Sequence, residues 1–593
     1  MMRTLRDQLA WAIGWMRAAR GRRRSLIAVA AGAALLGLAG CGSAPASTGA
    51  GPTTITLVGG IQTEPNWWFP VIPGQDYSTS NLPYIEMMYP SLFQINNNGS
   101  LNFAESLGES VTVSHNDTTF TVTLRPWQWS NGQPVTAADL VYDWQLIKAS
   151  SNPNGPWLNG FAGIAGIPGG WKSVTAAGPH TLVVTTTTPQ NPLGFEVNGL
   201  IKLTPVPVSI WRHSSNMTKE LQWLYGLGNR PTASQFRVVD GPYHVTKFVN
   251  QEYWVMTANP KFSGHKAAIK TIVFDYEASD SGVYLGLKKG TFAMAALPAE
   301  YLTQKSQLTK YHVRTYPYAE SVNFIALDEN PGQSPVGTLF QSRYVRQALQ
   351  MGVNEPLIAK ELYHGAAVPM YSSVPAEPPS LWYDPHVKGI GYNPAKGLRL
   401  MEAHGWTLQN GVLSKGGQKL DLTLDYESGD ATDLAIVQLL KADWAREGFD
   451  VTLVGEPFNQ VAALGPTGPK WSMQWYGAGW YFGAADPFPV GGELFECPQA
   501  GGIDNWIGFC DPSLDKTFAA AYGPGTVSQT RQRMYVLQQQ VAQQAPVIFL
   551  PEFAGVGNPT PIMATAPWVH GVESTYQATP GYFQYNYWTT SAP

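Results

Sequence analysis

Cysteine, charge and paired histidines are all scarce in this chain. Of 593 residues, three are Cys and ten are His, and Lys, Arg, Asp and Glu together supply 13%. The net charge is −4, and no basic run follows the leader, so the electrostatic footprint of a nucleic-acid binder is missing. No His-Glu-x-x-His helix, Gly-x-Ser-x-Gly elbow or phosphate-cradling Walker loop occurs, and the histidines lack ligand spacing. The expectation is a protein without catalytic residues, cofactor or metal. Because carboxylate pairs are not readable from sequence, an exported hydrolase of the glycosidase kind stays as a distant alternative. Internal repeats are absent too.

The longest apolar run lies near the start, behind a basic block of Arg20, Arg22, Arg23 and Arg24. Residues 25–39 are almost uncharged and end in Leu38-Ala39-Gly40-Cys41, the layout of a secretory signal. The run falls short of the about 20 apolar residues that a membrane helix needs. Its end resembles the bacterial lipobox, which implies cleavage of a signal peptide (residues 1–40) and lipidation of the Cys41 thiol. An uncleaved anchor and an ordinary secretory signal cut nearby are the alternatives, and Met16 is an alternative start. Residues 41–53 then form a flexible tether, since small residues from Gly42 to Pro52 have nothing to bury.

With Cys41 assigned to lipid, Cys497 and Cys510 remain as a pair around a Gly-rich loop. An exported location permits their disulfide, the alternative being a metal pair without a histidine nearby. The chain exceeds one domain of about 100 to 200 residues, so at least two lobes are expected. Hydrophobic residues at 44% suffice for their cores, while 21 Trp and 27 Tyr exceed what cores require and point to a binding cleft.

Residues 420–454 read as strand, helix and strand: period-two alternation from Leu420 to Tyr426, then Leu434, Val437, Leu440, Trp444 and Ala445 at helical spacing. Gly448 ends the helix and alternation resumes at Phe449, so a right-handed βαβ crossover is expected. Just upstream, Asn393-Pro394 reads as N-cap and first helical position, with Gly405 as the stop. The fold class is therefore α/β.

The densest block is residues 120–140. Phe120 to Leu124 alternates as a strand, Asn131-Gly132 favours a tight turn, and Thr136 with Asp139 forms a capping box that opens a helix through Val141, Trp144 and Ile147. Trp127 and Trp129 share one face, for core packing or cleft lining. On this block, Leu124-Arg125 through Trp129-Ser130-Asn131-Gly132 to Thr136-Ala137-Ala138-Asp139, the sequence resembles family 5 of the extracellular solute-binding proteins, the peptide- and nickel-binding class that feeds ABC importers. Thr63-Glu64-Pro65, Gly241-Pro242-Tyr243, Asn259-Pro260-Lys261-Phe262, Arg343 to Leu349, Tyr392 to Lys396 and Ala545-Pro546-Val547-Ile548 follow in family order.

The resemblance implies a two-lobed clamp of the periplasmic-binding-protein type II class with an extra subdomain. Lobe I is expected in residues 54–88, 205–322 and 548–593, the subdomain in 89–204 and lobe II in 323–547. It also implies a monomer, outside the cytoplasm and tethered by lipid to the bacterial membrane, which captures a peptide or other small solute for the permease subunits. The solute is expected along Tyr476, Gly477, Ala478, Gly479, Trp480 and Tyr481, with Asn66, Trp67, Trp129 and Trp157 approaching it. Asp486, before Pro487, either contacts solute or caps a turn. Peptide-binding relatives carry a carboxylate where this chain has Gly483, so an oligosaccharide or glycoside is the alternative solute. Trp506, between the cysteines, lines the cleft or shields the disulfide.

Overall fold

The computed structural model describes residues 51–592 except 62–63, 77–79, 97, 161–166, 316–321, 331, 333, 378, 462, 466–468, 476–491, 498–504, 554–561 and 578–581. Cys41 and the leader thus lie outside the described residues.

Two sheets organise the chain. The first has seven strands in the order His312–Thr315, Ile562–Thr565, Met294–Ala296, Thr54–Ile61, Thr271–Glu277, Tyr253–Ala258, Tyr243–Val249. Thr54–Ile61 runs parallel to both of its neighbours, and the outer pairs are antiparallel. The second has five strands: Asp450–Glu456, Asp421–Glu427, Met473–Trp475, Phe324–Leu327, Ile548–Phe549. The return to lobe I expected at residue 548 comes later, because Ile548 and Phe549 pair with Ile325 and Phe324 in the second sheet. Among the described residues the chain re-enters the first sheet at Ile562.

The βαβ unit forms as read. Asp421–Glu427 and Asp450–Glu456 are parallel and in register around helix Ala431–Arg446. Gly448 takes φ +84°, and a Cβ there would collide with Leu408 and Leu413, so both backbone angle and space require glycine. One detail differs: Leu434 is 40% exposed, while Ile436 joins Val437, Leu440 and Trp444 in the buried stripe. Leu434 lies in the helix's first turn, beyond the edge of the packed face. Asn393 caps helix Pro394–Ala403 through the Lys396 N–H, as expected.

A four-stranded antiparallel sheet, Gly108–Ser114, Thr119–Leu124, Thr181–Thr186, Trp171–Gly178, occupies the stretch read as the extra subdomain. Helix Ala137–Ser150 covers it, opened by the Thr136–Asp139 capping box, and Trp144 stacks on Trp171 at 5.0 Å. Two other sequence blocks lock onto each other: the Asn259 amide donates to the Gly241 carbonyl at 2.9 Å and its N–H to Pro242 at 2.7 Å. Gly241 presses against the Met87 backbone so closely that a Cβ would sit 2.3 Å from its carbonyl oxygen. Glu64 of the Thr-Glu-Pro match accepts from the Gln251 N–H at 2.8 Å, holding the turn between two strands of the first sheet.

Helix Arg343–Met351 brings Arg346 under the end of helix Val527–Gln544. Its guanidinium donates to the carbonyls of Phe340, Gln544 and Ala545 at 2.7–3.1 Å. A cation at a helix C-terminus meets the oxygens that the helix leaves unpaired. Glu329 lies 3.4 Å away, but burial pushes its carboxyl up to about 8 even beside Arg346, so the carbonyls are the firmer partners. Cys497 and Cys510 are bonded. Among the described residues no helix is long and apolar enough to cross a membrane.

Candidate functional site

The expected solute loop, with Tyr476, Gly477, Ala478, Gly479, Trp480, Tyr481 and Asp486, lies outside the described residues, as does Gly483. Its root is well placed. Met473–Trp475 is a buried strand of the second sheet. Trp475 donates its indole N–H to Asn323 at 3.0 Å, and Asn323 donates to the Pro551 carbonyl at 2.9 Å. Gln474 accepts from the Trp506 indole at 3.0 Å, and the Trp506 carbonyl accepts from Asn330 at 2.8 Å. Trp506 thereby ties the segment before Cys510 to strand Met473–Trp475, which precedes the expected solute loop.

On the other side, Trp67 and Trp157 come together, ring centroids 6.4 Å apart, with Tyr225 at 5.8 Å from Trp67. Both indoles are buried and satisfied, Trp67 by the Val71 carbonyl at 3.1 Å and Trp157 by that of Leu221 at 3.0 Å. Trp67 also lies flat against Gly228. Asn66 is exposed and pairs with Asn81, which holds the backbone N–H groups of Asn66 and Trp67. Trp129 is 2% exposed and packs on Tyr89. These rings are thus engaged by protein, and Asn66 with the Tyr225 edge is what this group presents outward.

A feature not anticipated from sequence joins the two sheets. Asp280 opens helix Asp280–Lys289 after the first sheet's Thr271–Glu277, Glu300 lies on the turn Ala299–Gln307, and Asp430 caps helix Ala431–Arg446 after the second sheet's Asp421–Glu427. One oxygen from each lies within 4.8 Å of the others. Burial, then the Asp430 charge, pushes Asp280 up to about 6; burial, then Asp280 and Asp430, pushes Glu300 up to about 7. Behind them burial and Asp430 hold Glu427 at about 7, and Asp433 is driven up by burial and the same neighbours. Ser279 and Asp430 are each legible as helix caps; that the two helices point their N-termini at each other is not.

Residues 102–502 match the model of the bacterial extracellular solute-binding proteins, family 5. The chain belongs to that family. Within it, the chain is 27% identical to the nickel-binding periplasmic protein of Escherichia coli K12 over 231 residues, 38% of this chain and 42% of that protein. To the oligopeptide-binding protein OppA of Lactococcus lactis it is 23% identical over 377 residues, 59% of this chain and 60% of that protein. The chain thus spans about half the length of the curated relatives it matches. The oligopeptide-binding protein AppA of Bacillus subtilis, solved with a nonapeptide, superposes with a TM-score of 0.72 at 18% identity, covering 91% of this chain and 98% of that one. The fold is accordingly that of the type II periplasmic binding proteins, a two-lobed clamp, and family and fold are those of solute-binding proteins.

Proposed function

We propose that this chain is the solute-binding component of an ABC import system, closing its two lobes on a peptide or peptide-like solute and handing it unchanged to the permease subunits. The observation that carries this reading is the anchoring of strand Met473–Trp475, which precedes the glycine- and aromatic-containing sequence 476–487, by Trp475 and Trp506 within a family-5 clamp. A backbone rich in glycine leaves room for another extended backbone, and closure between lobes strengthens the few polar contacts by excluding water. Lipidation at Cys41, with residues 41–53 as tether, would keep the clamp at the outer face of the membrane within reach of its permease.

The decisive measurement is mass spectrometry of what co-purifies with the protein, followed by thermal shifts across a mixed peptide library and a set of oligosaccharides. Stabilisation by peptides is the expected result. Shifts with oligosaccharides and none with peptides would replace the peptide reading by the glycoside one, for which Gly483 is the motive. The tether is tested separately: Cys41→Ala should move the protein from the membrane fraction to the soluble one, and an unchanged distribution removes the lipid from the account.

A further inference from the structure

A recess elsewhere in the molecule carries two carboxylates with no cation among its described lining residues. It opens to solvent with a cavity volume of about 40 Å³, and every described residue lining it lies before residue 263 or after residue 581, so the described strands of the second sheet contribute nothing. Its walls include the rings of Trp127, Phe262 and Tyr587, and two carboxylates, Glu86 and Glu105, face the same space. Trp127 and Phe262 meet edge to face at 5.6 Å, and His265 backs Tyr587 at 4.1 Å.

The carboxylates are oriented. Glu86 accepts from the Ser91 N–H at 2.9 Å and from Gln94 Nε2 at 2.5 Å on one oxygen, and from Ser91 Oγ at 3.0 Å on the other. Gln94 is held in turn by the Tyr582 hydroxyl at 2.8 Å. Glu105 accepts from the Tyr587 hydroxyl on one oxygen only. Each carboxylate therefore keeps acceptor capacity beyond its protein donors. Among the described residues no Lys, Arg or His lines the recess, and Lys266, on the adjoining loop, donates to the Phe262 carbonyl instead. Among the described residues no salt bridge reaches Glu86 or Glu105. Burial pushes Glu86 upward, the response of a negative charge without a counter-charge.

We propose that this recess is a second ligand site, which binds a small organic ammonium ion. An ammonium supplies the donors that the open carboxylate oxygens lack, and its charge gains from the ring faces. An anion meets two like charges, and a neutral solute leaves both carboxylates uncompensated as it displaces their water.

The test uses thermal unfolding of the whole exported chain in n-butylammonium chloride, with 1-butanol in sodium chloride of equal ionic strength as the neutral counterpart. A saturable rise in Tm with butylammonium and none with butanol is expected. The Glu86→Gln, Glu105→Gln double variant should weaken apparent affinity by about tenfold or more, the loss of a charge-assisted contact. Asp430→Asn, at the other carboxylate group, should leave it unchanged. Equal stabilisation by butanol, wild-type affinity in the double variant, or loss of the effect in Asp430→Asn each overturns the site. If the double variant does not fold, Glu105→Gln alone, at a half-exposed position, decides: weaker binding supports the site and unchanged binding refutes it.

Discussion

Arg346 and the carboxylates of Asp280, Glu300 and Asp430 are both charges placed where two parts of the chain meet, and the protein handles them in opposite ways. Arg346 is 3% exposed and ringed by three carbonyls, so fixed acceptors offset part of the cost of burial that pushes its pKa down. The three carboxylates are half-buried, face one another, and have no cation among them in the described residues. The first arrangement holds the second sheet's helices in one geometry. The second makes a contact between the two sheets whose energy depends on protonation, so rigidity lies within each lobe and adjustability between them.

Breaking the rigid side should cost most. Arg346→Met leaves the carbonyls of Phe340, Gln544 and Ala545 buried without a donor and should destabilise by roughly 3–5 kcal/mol in urea unfolding; a loss below about 1 kcal/mol would make the pocket as adjustable as the carboxylate group. Replacing both Cys497 and Cys510 by Ser frees the loop carrying Trp506 and should cost about 3 kcal/mol, read as a lower midpoint that reduction of the wild type reproduces. Asn259→Ala removes the clasp on Gly241 and should cost about 2 kcal/mol.

The adjustable side gives the smallest effect and a sign. Asp280 and Glu300 have raised pKa values in the folded protein, so the folded state binds protons that the unfolded chain has released. Stability from this group is therefore full below the ordinary carboxylate range and is lost as pH rises through about 6 to 7. Asp430→Asn keeps a helix cap but removes one charge. Discounted for solvent screening, it should flatten the loss between about pH 4.5 and 7 by about 1 kcal/mol. Parallel pH profiles for variant and wild type would show that the three groups do not sense one another.

Glu447 marks where neither treatment applies. Its carboxyl is fully buried against Gly352 and Gly397, and burial with the Asp443 charge pushes it up to about 10, so it stays protonated at neutral pH. Glu447→Gln should remove a fall in stability as pH rises above the ordinary carboxylate range. Matching slopes in chemical unfolding of the two proteins would contradict it.

Local order was largely legible because its causes are local. Periodicity placed the βαβ unit, the Thr136–Asp139 pair placed a helix start, and Asn393-Pro394 placed another. Family blocks were legible as blocks, but their mutual grip was not: nothing in Asn259 says that its amide will close on Gly241. Rings say least about their surroundings from sequence alone. Trp67, Trp129 and Trp157 are equally at home in a core and a cleft, since burying a ring is favourable against either partner, and the fold buried all three. Trp506 owed its position to Gln474, 32 residues away in sequence.

The sequence by itself determined the class, the cysteine pairing and the positions of caps and strands, because each rests on contacts within a few residues or on composition. Tertiary structure alone decided which helix ends oppose each other, which carboxylates share a space, and which charge is left without a partner. Those depend on distances in space between segments that are not neighbours in the chain, and electrostatic cost is set by such distances and by burial, neither of which a linear pattern carries.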